Sequence, residues 1–114
     1  MADLIELRDG MRSFTEERDW SRFHDPKSLI LALVGEVGEL SELFQWLPAE
    51  TAQELANREP LRPRAEEEIS DILLYLIRLA DVLDIDLGDA AERKLAASSQ
   101  KHTPGSQPHK VIPG

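Results

Sequence analysis

The chain has 114 residues, enough for one domain with a modest core. Its 22 acidic residues against 13 basic ones leave a net charge of −9, which argues against nucleic acid as a partner, because phosphate binding needs clustered Lys and Arg. A small nucleotide reached through a divalent cation stays open. No cysteine is present, which excludes disulfides, thiolate metal sites and cysteine nucleophiles.

Residues 3–18, "DLIELRDGMRSFTEER", place Leu4, Leu7, Met11 and Phe14 at spacings of three and four. That is one apolar helix face, with Asp3 suited to cap it and Gly10 costing it a little. An acidic, periodic start of this kind is unlike a signal or transit peptide, and a cytoplasmic location is the expectation. No run of about 18 apolar residues exists to span a membrane. The connection "DWSRFHDPKS" ends in Asp25-Pro26, a cap followed by a proline that suits a first helical turn.

A second helix is predicted from Pro26 to Trp46 or Leu47, ended by Pro48. Its "SLILALV" is apolar all round and reads as buried on every side. Residues 49–58 predict a short acidic helix, after which Pro60 and Pro63 break the chain. A third helix is predicted over about Arg64 to Leu83, and a fourth from 88 to about 101. The Pro- and Gly-rich 104–114 reads as a flexible tail behind a domain of residues 1–103. Without strand-like alternation, the fold class is all-α, a four-helix bundle built on the antiparallel pair of helices two and three. Helix two carries more apolar surface than a small bundle needs, which points to a helical interface with another subunit.

Acids interrupt the greasy helix two at Glu36, Glu39 and Glu42. At about 100° per residue, Leu29, Leu33, Leu40 and Leu43 all lie within roughly 60° of Glu36, so Glu36 belongs to the apolar stripe. On helix three Glu68 sits among Ala65, Ile72, Tyr75 and Leu79, with Asp71 one turn on. Folded as a hairpin, the two helices bring the pairs to a similar level. Four carboxylates in a partly dry space either take up protons or share a cation. Oxygen-only ligands suit Mg²⁺ or Mn²⁺, and none of His24, His102 and His109 stands at helical spacing with the acids. Gly35 and Gly38, each just before a glutamate, lower helix propensity and are expected to permit a close approach of backbone or ligand. Acids near the start of helix three also suit the helix dipole, so a plain solvated role stays open there.

"GEVGELSELFQW" followed by "EEEISDILLYLIRLA" resembles the MazG-like nucleoside triphosphate pyrophosphohydrolases. Their paired ExxE and ExxD here read Glu36-Val-Gly-Glu39 and Glu68-Ile-Ser-Asp71. The upstream "FTEERDWSRFHDPKSLILAL" is similar in particular to the dCTP pyrophosphatase branch. The resemblance implies a MazG-like bundle and Mg²⁺-dependent hydrolysis between the α- and β-phosphates, giving nucleoside monophosphate and pyrophosphate, with Mn²⁺ a possible substitute. It implies Glu36, Glu39, Glu68 and Asp71 as metal ligands and catalytic acids, with Glu67 beside them as a supporting group. It further implies Trp20, Trp46 and Tyr75 around the base, His24 and Phe23 bordering the pocket, and Lys94 on the phosphates. Trp20 also stands out on its own, as a large ring in a polar connection. Family members form dimers or tetramers with the pocket between subunits, and a homotetramer is favoured here.

Two departures bear on specificity. Gly35 replaces a glutamate of many members but is shared with the dCTP branch, and Ser98, Lys101 and His102 replace an asparagine and "KYP" downstream of Lys94. The rival readings are a phosphoribosyl-ATP pyrophosphatase-like enzyme, against which the aromatic flanks speak, and a non-catalytic helical interaction module holding a structural ion.

Overall fold

The computed structural model describes residues 1–106, in which the regular structure is helical throughout. Five α-helices follow in order: α1 (Leu4–Glu17), α2 (Pro26–Phe44), α3 (Ala52–Ala56), α4 (Leu61–Val82) and α5 (Leu87–Lys101), with a single 3₁₀ turn at Ser21–Phe23. Three starts follow from local chemistry. Asp3, Asp25 and Asp86 each turn a carboxylate back to accept an N–H three residues on, from Glu6 (2.8 Å), Ser28 (2.9 Å) and Asp89 (3.0 Å). Pro26 occupies the first turn of α2, where its missing N–H costs nothing.

Helix ends depart from the sequence reading in three places. The second helix stops at Phe44, short of Trp46, because the chain tightens into a turn in which Leu47 N–H reaches Phe44 C=O at 3.0 Å ahead of Pro48. The next long helix starts at Leu61, so Pro63 does not break the chain but sits in the first turn of α4, another position where proline is tolerated. The short acidic helix spans only Ala52–Ala56. Of the tail expected over 104–114, residues 107–114, with His109, lie outside the described residues.

α4 is the central element, packed against α1, α2, α3 and α5, most extensively against α2. The pairings His24–Arg78 and Glu36–Glu68 advance from just before the start of α2 into the helix while they retreat along α4, so the two helices run antiparallel. α1 also runs against α4, with Arg12 on Asp81 and Leu4 near Ile85. Leu29, Ala65, Ile77 and Ala80 form the buried apolar core. The stripe around Glu36 faces this core as its periodicity predicts, with Leu29 buried and Leu33, Leu40 and Leu43 half-buried.

The opposite face of α2 does not fit the expectation of burial on every side. Leu31 and Val34 are each 62% exposed, and Ile30 and Val37 are open to solvent beside them. Among the described residues α2 packs chiefly against the face of α4, and one helix face cannot cover an all-apolar cylinder. Among the described residues no helix is long and apolar enough to cross a membrane.

Candidate functional site

The antiparallel pairing of α2 and α4 brings one acid motif to the other. Glu36, Glu39 and Glu68 each offer a carboxylate oxygen, and the three oxygens lie within 4.8 Å of one another. Glu36 and Glu68 are half-buried and Glu39 is exposed, so the group is a notch with a dry floor and an open rim. The floor is under-satisfied. Oε2 of Glu36 and Oε2 of Glu68 are both buried without a hydrogen-bond partner. Ionised carboxylates only accept, so neither relieves the other unless a proton is shared between them. That sharing with Glu36, reinforced by burial and by the charge of Glu39, pushes the Glu68 carboxyl up to about 7.

Two orphaned buried oxygens facing a third carboxylate are the donor set of a hard divalent cation. The residues present therefore fit such an ion. Asp71 is not part of the three-carboxylate group. It lies one turn further along α4 and lines a neighbouring cavity of about 460 Å³. Glu42 and Glu67 are exposed, in keeping with solvated side chains.

The cavity wall is mostly apolar, with Leu7, Met11 and Phe14 of α1 facing Leu74 and Tyr75 of α4, and Trp20 and His24 closing it from the connection before α2. Trp20 is aimed by its backbone. Asp19 takes a left-handed conformation (φ 53°) that reverses the chain after α1, and Trp20 N–H then bonds Thr15 C=O at 3.0 Å. Its indole and the Phe14 ring meet edge-to-face at 5.5 Å between centroids, and the Arg18 guanidinium lies over the Phe14 ring at 3.8 Å.

Trp20, His24, Asp71 and Tyr75 thus share one cavity. Trp46 and Lys94 do not line it. Trp46 is 85% exposed in the turn after α2, and Lys94 is exposed on α5. The close approach expected at Gly35 and Gly38 is not made by this chain, because no atom stands within 4 Å of where a Cβ would lie. The sequence reading missed the contribution of α1. Gly10, noticed only as a weak point of that helix, lines the cavity and leaves it open, with nothing within 4 Å of a Cβ there.

Fold and site together define an all-α protein with a carboxylate notch, suited to a hard cation, set beside an aromatic-walled cavity. Comparison with known proteins gives that class a family. The MazG nucleotide pyrophosphohydrolase domain matches residues 24–103, and the chain belongs to this family. The dCTP pyrophosphatase 1 of Bos taurus is 44% identical over 99 residues, covering 87% of this chain and 59% of the relative. The Homo sapiens dCTP pyrophosphatase 1 is 43% identical over 101 residues, with 87% and 58% covered. The chain therefore spans somewhat under two thirds of the length of the curated relatives it matches. Among solved structures, a pyrophosphatase from Archaeoglobus fulgidus DSM 4304 superposes with a TM-score of 0.79 at 36% identity, over 89% of this chain and 93% of that one.

Proposed function

We propose that the chain hydrolyses nucleoside triphosphates, with dCTP or a modified dCTP as the preferred substrate, to the nucleoside monophosphate and pyrophosphate, using Mg²⁺ (or Mn²⁺ in its place). The observation that carries this reading is the pair of orphaned buried oxygens on Glu36 and Glu68, facing Glu39 next to a cavity walled by Trp20 and Tyr75. The names of the relatives support the choice of substrate, and the aromatic wall supports a nucleobase rather than a sugar at that end. Asp71, one turn along α4 from Glu68 and lining the cavity, joins Glu36, Glu39 and Glu68 as the fourth ligand. When bound, Mg²⁺ neutralises the triphosphate and lowers the pKa of the attacking water.

The residues of the chain do the rest. Trp20 and Tyr75 hold the base and so fix where the α-phosphate falls relative to the carboxylates. A carboxylate of the notch takes the proton of the attacking water. The water oxygen bonds to the α-phosphorus, the bond to the bridging oxygen breaks, and pyrophosphate leaves with that oxygen. The catalytic unit is residues 1–103, working in the cytoplasm where its substrates are.

The active form is a homo-oligomer, a tetramer by preference. The exposed apolar face of Leu31, Val34 and Val37 supports this, as do Trp46 and Lys94, which stand outside the cavity of their own chain and complete the site from a second copy. The test is pyrophosphate release from a panel of canonical and modified nucleotides with Mg²⁺. Turnover led by dCTP and lost in Glu39→Gln with an unchanged melting curve is expected. A well-folded oligomer with no turnover on any nucleotide would remove the reading in favour of a non-catalytic module.

A further inference from the structure

A polar train, buried at its Arg78–Asp81 centre, runs from α1 to the cavity wall. Arg78 interrupts the apolar run "ILLYLIRLADVL" of α4 and is only 7% exposed. Its Nε donates to His24 Nδ1 at 3.0 Å, and its Nη1 donates to Asp81 Oδ2 at 3.3 Å. Arg12 on α1 donates from Nε to the same Asp81 oxygen at 2.9 Å. The train therefore ties α1, α4 and the connection before α2 together.

Its direction is fixed by chemistry. A guanidinium has donors only, so His24 Nδ1 must accept and carries no proton. Burial and the positive charge of Arg78 both lower the His24 pKa from its ordinary value, so the ring is neutral near pH 7 and its one proton sits on Nε2. That Nε2 has no partner among the described residues, and His24 lines the cavity. The arrangement puts one oriented N–H donor on a residue of the cavity wall, among the apolar Leu7, Met11, Phe14 and Leu74 and the acidic Glu6 and Asp71. The opposite tautomer would present a lone pair there and repel any acceptor.

We propose that Arg78 is a positioning residue for nucleotide recognition: it locks His24 in the Nε2–H tautomer, and that N–H donates to a ring acceptor of the base held in the cavity, N3 or O2 of a cytosine. The proposal rests on the nucleotide reading above and adds a specificity device to it. Asp81 neutralises and aims the guanidinium, and Arg12 holds Asp81 from the far side. N3 accepts in cytosine but donates in thymine, so a contact at N3 separates the two bases, whereas a contact at O2 treats them alike. A base without a matching acceptor leaves the half-buried donor unpaired, which is the stronger part of the discrimination.

The experiment uses the full chain labelled with ¹⁵N. Long-range ¹H–¹⁵N spectra of wild type are expected to show His24 as Nε2–H with a bare Nδ1. Arg78→Met mixes the tautomers, and Arg78→Lys, which keeps a donor, restores the wild-type pattern. In parallel, Arg78→Met and His24→Leu raise KM for dCTP by about tenfold with kcat within about twofold. His24→Gln, whose amide N–H stands near the Nε2 position, recovers most of the loss. A fall in the dCTP over dTTP preference assigns N3; equal losses on both assign O2. His24 protonated on Nδ1 in wild type, or KM unchanged in His24→Leu, overturns the proposal. Should Arg78→Met fail to fold, the His24 pair carries the same KM comparison. If wild type turns over no nucleotide, the nucleotide reading falls by itself. The tautomer spectra then still decide the lock, and a shift of the Nε2 signal on adding dCMP still decides the donor.

Discussion

Replacing Asp81 by asparagine (Asp81→Asn) removes one charge from the train and little volume. Both Asp81 and Arg78 have side chains only 9% exposed, so the substitution strands a desolvated guanidinium with no anionic partner. Breaking a buried pair from one side costs about 3–5 kcal/mol, while the link to the half-exposed Arg12 adds at most about 1 kcal/mol. We expect about 3 kcal/mol at pH 7, which lowers Tm by about 12–24 °C in a domain of this size. Urea unfolding followed by circular dichroism measures it, at fixed protein concentration so that assembly does not shift the midpoint. The pH dependence has a definite sign. The hydrogen bond from Arg12, with the charges of Arg12 and Arg78 behind it, holds the Asp81 carboxyl below its usual value. Its contribution is therefore full above the ordinary carboxylate range and is lost as pH falls through the lowered folded value. The gap between wild type and variant should stay flat from pH 8 to about 5 and close as pH drops below about 4. A gap under about 1 kcal/mol at pH 7, or one unchanged at pH 3, would refute the reasoning.

Three further outcomes are expected. Leu31→Glu combined with Val34→Glu places two charges on the exposed α2 face; sedimentation should show dissociation with helicity retained, and an unchanged mass would clear that face of any role in assembly. Mg²⁺ at a hundred times its Kd stabilises by about 2.7 kcal/mol and lifts the wild-type Tm by about 10 °C or more. Glu36→Gln should abolish that rise, and an equal rise in the variant would place the ion elsewhere. Gly10→Ala should stabilise α1 by about 0.5–1 kcal/mol while its methyl group intrudes on the cavity and raises KM; an unchanged KM would show that α1 does not border the substrate.

Much of this arrangement was legible in the sequence. The glutamates of α2 announced themselves because each interrupts an apolar period, and periodicity places a residue on a face without knowledge of what lies opposite. The caps at Asp3 and Asp25 were local chemistry and read equally well. Pro63 misled, because proline is a breaker inside a helix and harmless in its first turn, and only the position of the start decides which. The train from Arg12 to His24 was hidden for a different reason. Its partners are 69 and 54 residues apart, so no window of sequence holds both ends. Arg78 and Asp81 carried the same signal as Glu36, a charge inside an apolar run, and could have been found by it. The surplus of exposed apolar side chains on α2 was likewise visible as a helix without a polar side.

α4 also sets how such a protein can change over evolutionary time. Glu68, Asp71, Tyr75, Arg78 and Asp81 all hang on one uninterrupted helix of 22 residues. Each added or deleted residue would turn everything beyond it by about 100° and shift it by about 1.5 Å. The notch and the cavity wall are thus geared together, and a single insertion between Glu68 and Arg78 would disengage both. Change on α4 has to proceed by substitution. Length changes are left to the stretch between α1 and α2, where Trp20 and His24 ride on a turn rather than on the shaft.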